Sequence, residues 1–235
     1  LADIPSQGSG LGSSSAVTVG LLNALYTFKG EQPSTESLAK KACEIEINIL
    51  KNPIGKQDQY IVAYGGFKKF IFNSDETVSI KDYKFNTNQF LVLGSNLLLH
   101  YTNQTRNASK ILSNQKQNIE KKIKELKAIS MLVDKLDPLL DKYNFSKIGD
   151  LLEENWSLKR TLSKGITSPF IDEMVNNAKI GGAQGCKISG AGGGGFLLSY
   201  VDRNDQKEYR DKMSDYRELP FMIEGSGSKI IFNIN

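Results

Sequence analysis

Apolar residues recur along the chain in two rhythms, and the change from one to the other marks out its elements. Ala16, Val19, Leu22 and Leu25 recur at helical spacing, in a segment that opens on Ser13, Ser14 and Ser15 as candidate N-caps and stops near Lys29-Gly30. Leu38, Ala42, Ile45 and Ile49 form a second stripe, which predicts a helix over residues 35–50 closed by Pro53 and Gly55. Glu46 stands beside that stripe, next to Ile45, and so is expected to point inward. Residues 60–73 carry Gly65-Gly66 and then Phe67, Phe70 and Phe72, and read as strand. Residues 90–99, the longest apolar stretch, read as a buried strand followed by a turn. Over residues 116–136, Ile119, Ile123, Leu126, Ile129, Val133 and Leu136 keep one face, with Lys and Glu opposite, as in an amphipathic core helix. Further helices are predicted over 147–163 and from Ser168-Pro169, a cap followed by proline, to Gly181-Gly182. A strand over 196–201, a helix over 205–214 and an alternating terminal strand over 229–234 complete the pattern. Helices and strands mix without strict β-α-β alternation, so an α+β fold is expected, with a boundary near residues 82–86.

Composition narrows the function classes. Of 235 residues, 39% are hydrophobic and 24% charged, enough for a core in one large or two small domains. A disordered tail, a collagen-like fibre and a disulfide-stapled miniprotein are excluded. The formal charge of +4 is too slight an excess to argue for nucleic acid, and no nucleic-acid partner is expected. Gly94, Ser95 and Asn96 interrupt the longest apolar stretch, which falls short of the ~20 residues of a membrane span, so no membrane partner is expected either. Cys43 and Cys186 lie far apart, outside metal-type spacing, the pattern of reduced, buried thiols in a cytoplasmic protein. His100 is the single histidine, which excludes a His-rich metal site and leaves one base for any triad. Nothing in the pattern specifies an oligomeric state. The chain opens on Leu1 rather than Met, with a polar Gly/Ser-rich stretch instead of a signal peptide, and is expected to be processed or to be part of a longer translated protein.

Two glycine clusters carry the sharpest chemistry. Gly8-Ser-Gly-Leu-Gly-Ser-Ser-Ser runs into the first predicted helix, where uncapped N–H groups and the helix dipole suit a phosphate and the serine hydroxyls suit Mg²⁺. A capped helix after a flexible turn is the alternative, and no Gly-Lys-Ser/Thr of a Walker A loop is present. Residues 190–195, Gly-Ala-Gly-Gly-Gly-Gly, match G-x-G-x-x-G, but a strand rather than a helix follows, and neither His-Arg-Asp nor Asp-Phe-Gly occurs. What remains is a loop whose backbone something approaches closely, or a tight hairpin-like connection. Asp58 follows the Asn52-Pro-Ile-Gly turn and reads either as a loop acid at the surface or as a carboxylate that orients or deprotonates a hydroxyl, held ionised by Lys56. A serine hydrolase built on residues 12–16 and His100 is disfavoured, because a nucleophile elbow needs strand-turn-helix and a late histidine.

Pro5-Ser-Gln-Gly-Ser-Gly-Leu-Gly-Ser-Ser-Ser-Ala16 and Lys187-Ile-Ser-Gly-Ala-Gly-Gly-Gly-Gly-Phe196, in that order and separation, resemble the ATP-phosphate motif and the C-terminal glycine motif of the GHMP kinases. This family is named for galactokinase, homoserine kinase, mevalonate kinase and phosphomevalonate kinase. Within it, residues 45–60, residues 101–109, Trp156-Ser-Leu-Lys-Arg160 and Gly165-Ile-Thr-Ser-Pro-Phe-Ile-Asp172 resemble the D-glycero-D-manno-heptose 7-phosphate kinases, so that nearly the whole chain is covered.

The resemblance implies a GHMP-kinase-like two-domain architecture. Residues 1–84 would form an incomplete N-terminal domain, ribosomal S5 domain 2-like and without the strand-rich segment that precedes the phosphate motif in relatives, and 85–235 a ferredoxin-like C-terminal domain. It implies ATP and Mg²⁺. Gly8, Ser9, Gly10, Leu11, Gly12, Ser13 and Ser14 would cradle the ATP phosphates, and Ser14 and Glu46 would hold Mg²⁺. Asp58 would face the accepting hydroxyl, as base or orienter. Gly190, Gly192 and Gly193 would bring backbone close to the phosphate loop or the substrate. Arg106 would take the substrate's own phosphate through its forked guanidinium, an ordinary surface arginine being the other reading. Asn103 departs from the Thr-Gly of many relatives. The implied reaction phosphorylates the anomeric hydroxyl of a small-molecule sugar phosphate and yields a heptose 1,7-bisphosphate, a precursor of nucleotide-activated heptose. Another sugar kinase, such as an L-fucose kinase, and a non-catalytic ATP- and sugar-binding relative are the alternatives.

Overall fold

The computed structural model describes residues 8–104 and 108–232. They form two compact units, each discontinuous in sequence. One holds Gly12–Phe85 with the described part of 223–235, and the other holds Asn86–Met222 with the described part of 1–11. The chain therefore crosses between units after Leu11, after Phe85 and after Met222, an exchange of ends that a division into 1–84 and 85–235 does not contain.

The first unit is built on α1 (Ser13–Phe28), α2 (Thr35–Cys43) and α3 (Gln57–Tyr64), with an antiparallel hairpin of β1 (Lys68–Phe72) and β2 (Val78–Asp82). Val19, Leu38, Ala39, Ala42, Tyr60 and Ala63 close its core. Ser34 caps α2, its hydroxyl accepting from Ser37 N–H at 3.1 Å. The expected helix over 35–50 changes pitch at Glu44, where a π-helical stretch, Glu44–Ile49, takes over. The wider turn rotates the stripe out of phase, so Ile49 is 62% exposed while Glu46 is 1% exposed. The expected strand over 60–73 is confined to β1, because Gln59, Tyr60 and Ala63 face the core at helical spacing. At the start of α1, Gly12 in the left-handed region (φ 69°) is the N-cap rather than a serine. The expected terminal strand is not formed over the described residues 229–232, and residues 233 and 234 lie outside the description. Here the returning backbone pairs with the end of α3 and the turn after it, through Ser228 N–H to Val62 O at 3.0 Å and Gly66 N–H to Glu224 O at 3.1 Å.

The second unit contains α4 (Thr87–Ser95), β3 (Leu97–Tyr101), α5 (Ala108–Gln117), a 3₁₀ turn at Glu120–Lys122, α6 (Ile123–Asp141), α7 (Ile148–Lys159), α8 (Pro169–Ile180), β4 (Ala183–Ile188), β5 (Phe196–Val201) and α9 (Gln206–Lys212). Its antiparallel sheet runs β3-β5-β4. Residues 217–219 flank the free edge of β3, with Tyr101 N–H to Arg217 O and Leu219 N–H to Leu99 O both at 2.8 Å. The result is the strand order of a ferredoxin-like sheet. Trp156, Ile166, Ile171, Met174, Leu197 and Tyr209 anchor the core between this sheet and the helices. Ser168 and Pro169 begin α8 as the sequence indicates. The apolar run 90–99 divides between α4 and β3, because Asn86 and Gln89 form a reciprocal capping box that commits residues after 86 to a helix. The expected helix over 116–136 is interrupted between Gln117 and Ile123.

Candidate active site

The two glycine clusters meet within the second unit. Gly8 and Gly10 hold φ of 72° and 71°, and a Cβ on Gly10 would stand 2.6 Å from Ser189 O. Across the same contact, a Cβ on Gly195 would stand 2.4 Å from Ser9 O. Only backbone without side chains packs this closely, which explains why both stretches are rich in glycine. Ser9 is buried and its Oγ accepts from Leu11 N–H at 3.3 Å. The 190–195 loop rests on its own unit: Gly193 N–H donates to Ile166 O at 2.7 Å and Gly195 N–H to Gln104 O at 2.9 Å. The Gly193 amide is thus spent on Ile166. Lys159, at the end of α7, donates its ammonium to the Gly190 carbonyl, and Lys187 sits on β4 just before the loop. Neither lysine was singled out from the sequence, where nothing distinguishes a half-buried lysine from a solvated one.

The carboxylates gather in the first unit, at the start of α1. The Gly12 carbonyl accepts from Ala16 N–H at 2.9 Å, and no side chain caps the helix. Its first-turn N–H groups therefore lack a side-chain acceptor, with the positive end of the helix dipole behind them. Ser13 is half-buried and Ser14 exposed on that turn. Ser15, one residue further, is 1% exposed and donates to Glu46 Oε2 at 2.7 Å. Gln59 Nε2 donates to the same oxygen at 2.5 Å. The hydrogen-bond partners of Glu46 are thus Ser15 and Gln59. The signal in the sequence was position, since Ser15 lies four residues before the fully buried Val19 on the same helix face.

Asp58, in the first turn of α3, lies over Gly12: a Cβ there would stand 3.5 Å from Asp58 Cγ and Oδ2. Its carboxyl is held above the ordinary carboxylate range, first by lost solvation and then by Glu46. Lys56 pairs with Glu76 and not with Asp58, so the expected ionising partner is turned away.

Mg²⁺, which the resemblance implies, can be tested against these donors. Among the described residues no group of three or more His, Cys, Asp or Glu side chains is set to hold a metal. The set at α1 is nevertheless all oxygen, with Glu46 lacking any cationic partner among the described residues and Gln59 Oε1 buried without a hydrogen bond. That is the chemistry of a hard cation completed by phosphate oxygens, and the residues fit it.

His100 is 2% exposed, with Tyr209 Oη 3.4 Å from Nδ1 and Glu218 Oε2 3.8 Å from Nε2. Burial pushes its pKa down to about 4 against the pull of Glu218, so it is a neutral core group. Both cysteines are free and buried, and Arg106 lies outside the described residues. No helix among the described residues is long and apolar enough to cross a membrane.

The chain is similar to known proteins along most of its length. Residues 2–66 match the GHMP kinases N terminal domain, and residues 138–218 match the GHMP kinases C terminal domain. A D-glycero-alpha-D-manno-heptose 7-phosphate kinase of Campylobacter jejuni is 30% identical over 229 residues, covering 95% of this chain and 67% of the relative. A mevalonate kinase of Saccharolobus solfataricus is 31% identical over 194 residues, covering 80% of this chain and 57% of that protein. The crystal structure of a D-glycero-D-manno-heptose 1-phosphate kinase from Bacteriodes thetaiotaomicron superposes with a TM-score of 0.73 at 25% identity, over 94% of this chain and 62% of that one. The chain thus spans between just over half and two-thirds of the length of these relatives. With both domain profiles in order and 30% of the residues identical to a relative along almost its whole length, the chain belongs to the GHMP kinase family.

Proposed function

We propose that the protein transfers the γ-phosphoryl group of ATP to the anomeric hydroxyl of D-glycero-D-manno-heptose 7-phosphate, giving the 1,7-bisphosphate. The observation that carries the phosphotransfer reading is the pairing of an uncapped helix N-terminus at Gly12 with two adjacent carboxylates, Glu46 and Asp58, that no cation neutralises among the described residues. The heptose reading is supported by the likeness to the Campylobacter heptose kinase over 95% of the chain.

In this mechanism the phosphate tail lies against the first turn of α1, where Ser13 and Ser14 add hydroxyl donors to the helix amides. Glycines 8, 10 and 12 keep side chains out of the loop that leads there. Asp58 receives or orients the proton of the accepting hydroxyl. Its raised proton affinity makes it a better base than an ordinary aspartate. Glu46 is fixed by Ser15 and Gln59, so its free oxygen keeps one direction. Mg²⁺, held by Glu46 with a first-turn serine, supplies neutralisation of phosphate charge. Positioning and charge stabilisation then do most of the catalysis.

A panel of acceptors assayed with ATP tests the reading: heptose 7-phosphate, the unphosphorylated heptose, L-fucose and mevalonate. Turnover is expected with the heptose phosphate. Activity confined to unphosphorylated acceptors removes the heptose 7-phosphate assignment and leaves the phosphotransfer site standing.

A further inference from the structure

Gln59 follows Asp58 on α3 and is 0% exposed. Its amide has two ends with opposite needs, a donor nitrogen and an acceptor oxygen. Nε2 donates to Glu46 Oε2, the oxygen to which the Ser15 hydroxyl also donates. Oε1 is buried and accepts from nothing among the described residues. Turning the amide over would set its carbonyl oxygen against a carboxylate, so the direction of Oε1 follows from Glu46. A buried acceptor without a donor costs stability, and such a group is kept where a bound ligand or water completes it.

The carboxylate beside it is also half used. Ser15 and Gln59 both spend their donors on Oε2, and Glu46 Oε1 accepts no hydrogen bond among the described residues. One hydrogen bond therefore joins two open acceptors, a carboxylate oxygen and an amide oxygen. Neither can serve a phosphate or a second carboxylate, which need donors. Together they suit a hydrated hard cation, the carboxylate as its ligand and the amide oxygen as acceptor for water it carries, because Mg²⁺ keeps several waters in protein sites. Partners of this outer kind orient the ligands and the waters of a metal site.

We propose that Gln59 is a positioning residue for the divalent cation: Nε2 fixes Glu46, and Oε1 accepts a hydrogen bond from water bound to the cation. This rests on the kinase reading, in which Glu46 and a first-turn serine hold Mg²⁺. Asp58 and Gln59, neighbours on α3, then divide the work, one serving the accepting hydroxyl and the other the cation. Ser15 only clamps Oε2, which makes it the control.

The test uses Mn²⁺ as a spectroscopic probe, titrated by electron paramagnetic resonance into the full chain with an ATP analogue whose γ-phosphoryl group cannot transfer. Ser15→Ala removes one donor to Glu46 and keeps Gln59 Oε1. Gln59→Met removes both ends of the amide at similar volume. Gln59→Met is expected to weaken Mn²⁺ binding by about ten- to a hundredfold, and Ser15→Ala clearly less. In steady state, Gln59→Met should raise the Mg²⁺ concentration for half-maximal rate and leave the KM for the acceptor unchanged. A measurement on the wild type does not depend on how the variants fold. With ¹³C-labelled glutamine, the Gln59 Cδ resonance should move when Mg²⁺ joins the analogue and stay in place with the analogue alone. Equal losses in Ser15→Ala and Gln59→Met make the amide a clamp only and overturn the proposal. Unchanged Mn²⁺ affinity in Gln59→Met, or a Cδ resonance indifferent to Mg²⁺, overturns it as well. These results leave the kinase reading standing wherever the wild type turns over. That reading fails when no acceptor is phosphorylated and the analogue does not bind, and a wild type that binds no Mn²⁺ with the analogue bound removes the role of Gln59 alone if turnover persists.

Discussion

An aspartate seated over a glycine Cα and beside a second carboxylate gives up its proton reluctantly. Ionised Asp58 is therefore a cost to the folded state. The sign follows from its raised pKa: the stability it contributes is present below the ordinary carboxylate range and is lost as the pH rises through its folded value. Asp58→Asn is expected to lower kcat by about a hundredfold or more, to leave the KM for ATP within about threefold, and to raise Tm at pH 7. The Tm difference should vanish on acidification; a variant that is fully active, or one no more stable than wild type at pH 7, contradicts this account. His100 works in the opposite direction. Its pKa falls from 6.5 to about 4 through burial, so protonation favours the unfolded chain. About 3 kcal/mol should be lost progressively as the pH drops from 6.5 towards 4. Urea unfolding across that window should show the slope, and His100→Gln should flatten it without changing turnover at neutral pH.

At the scale of elements, what could be read from the sequence depended on whether a local signal agreed with its surroundings. Ser168-Pro169 begins a helix in any context, and α8 starts there. Residues 90–99 misled because an apolar run has no period of its own, although Asn86 and Gln89 carried a helix start in plain view. β4 was not predicted, because Ala183-Gln-Gly-Cys-Lys-Ile188 lacks the β-branched density of a strand. Its glycine is explained by packing: a Cβ on Gly185 would stand 1.9 Å from Gly149 O, so α7 lies directly on the strand. Gly185→Ala should cost about 3 kcal/mol or more, seen as a lowered urea midpoint, since backbone rather than a flexible side chain blocks the methyl. Asn103 shows a similar logic in a milder form. It stands at φ 51°, a left-handed position that asparagine tolerates better than most residues. In the candidate site, the glycine clusters, Glu46 and Asp58 stand out in the sequence, whereas Ser15 and Gln59 do not. Their roles depend on which neighbours are dry, and that is a property of packing.

For the molecule as a whole, the crossings after Leu11, Phe85 and Met222 tie each unit to distant sequence. Residues 224–228 complete the unit that begins at Gly12. A Cβ on Gly65 would stand 2.1 Å from Ser226 C, and Asn23 Nδ2 donates to Ser228 Oγ at 3.1 Å. Deleting residues 223–235 should therefore raise amide exchange in α3 and β1 while leaving α7, β4 and β5 protected. Uniform deprotection of both units, or of neither, speaks against this division.

That returning segment also sets a timetable for synthesis. About 160 residues separate Gly65 from Gly227, whose position lies against Ala63 O. At ordinary translation speeds the ribosome needs roughly 10–30 s to cover that distance. Through that interval α1, α2 and α3 are already made with their closing strap unmade, so this unit waits for the synthesis of the other before its own backbone is complete.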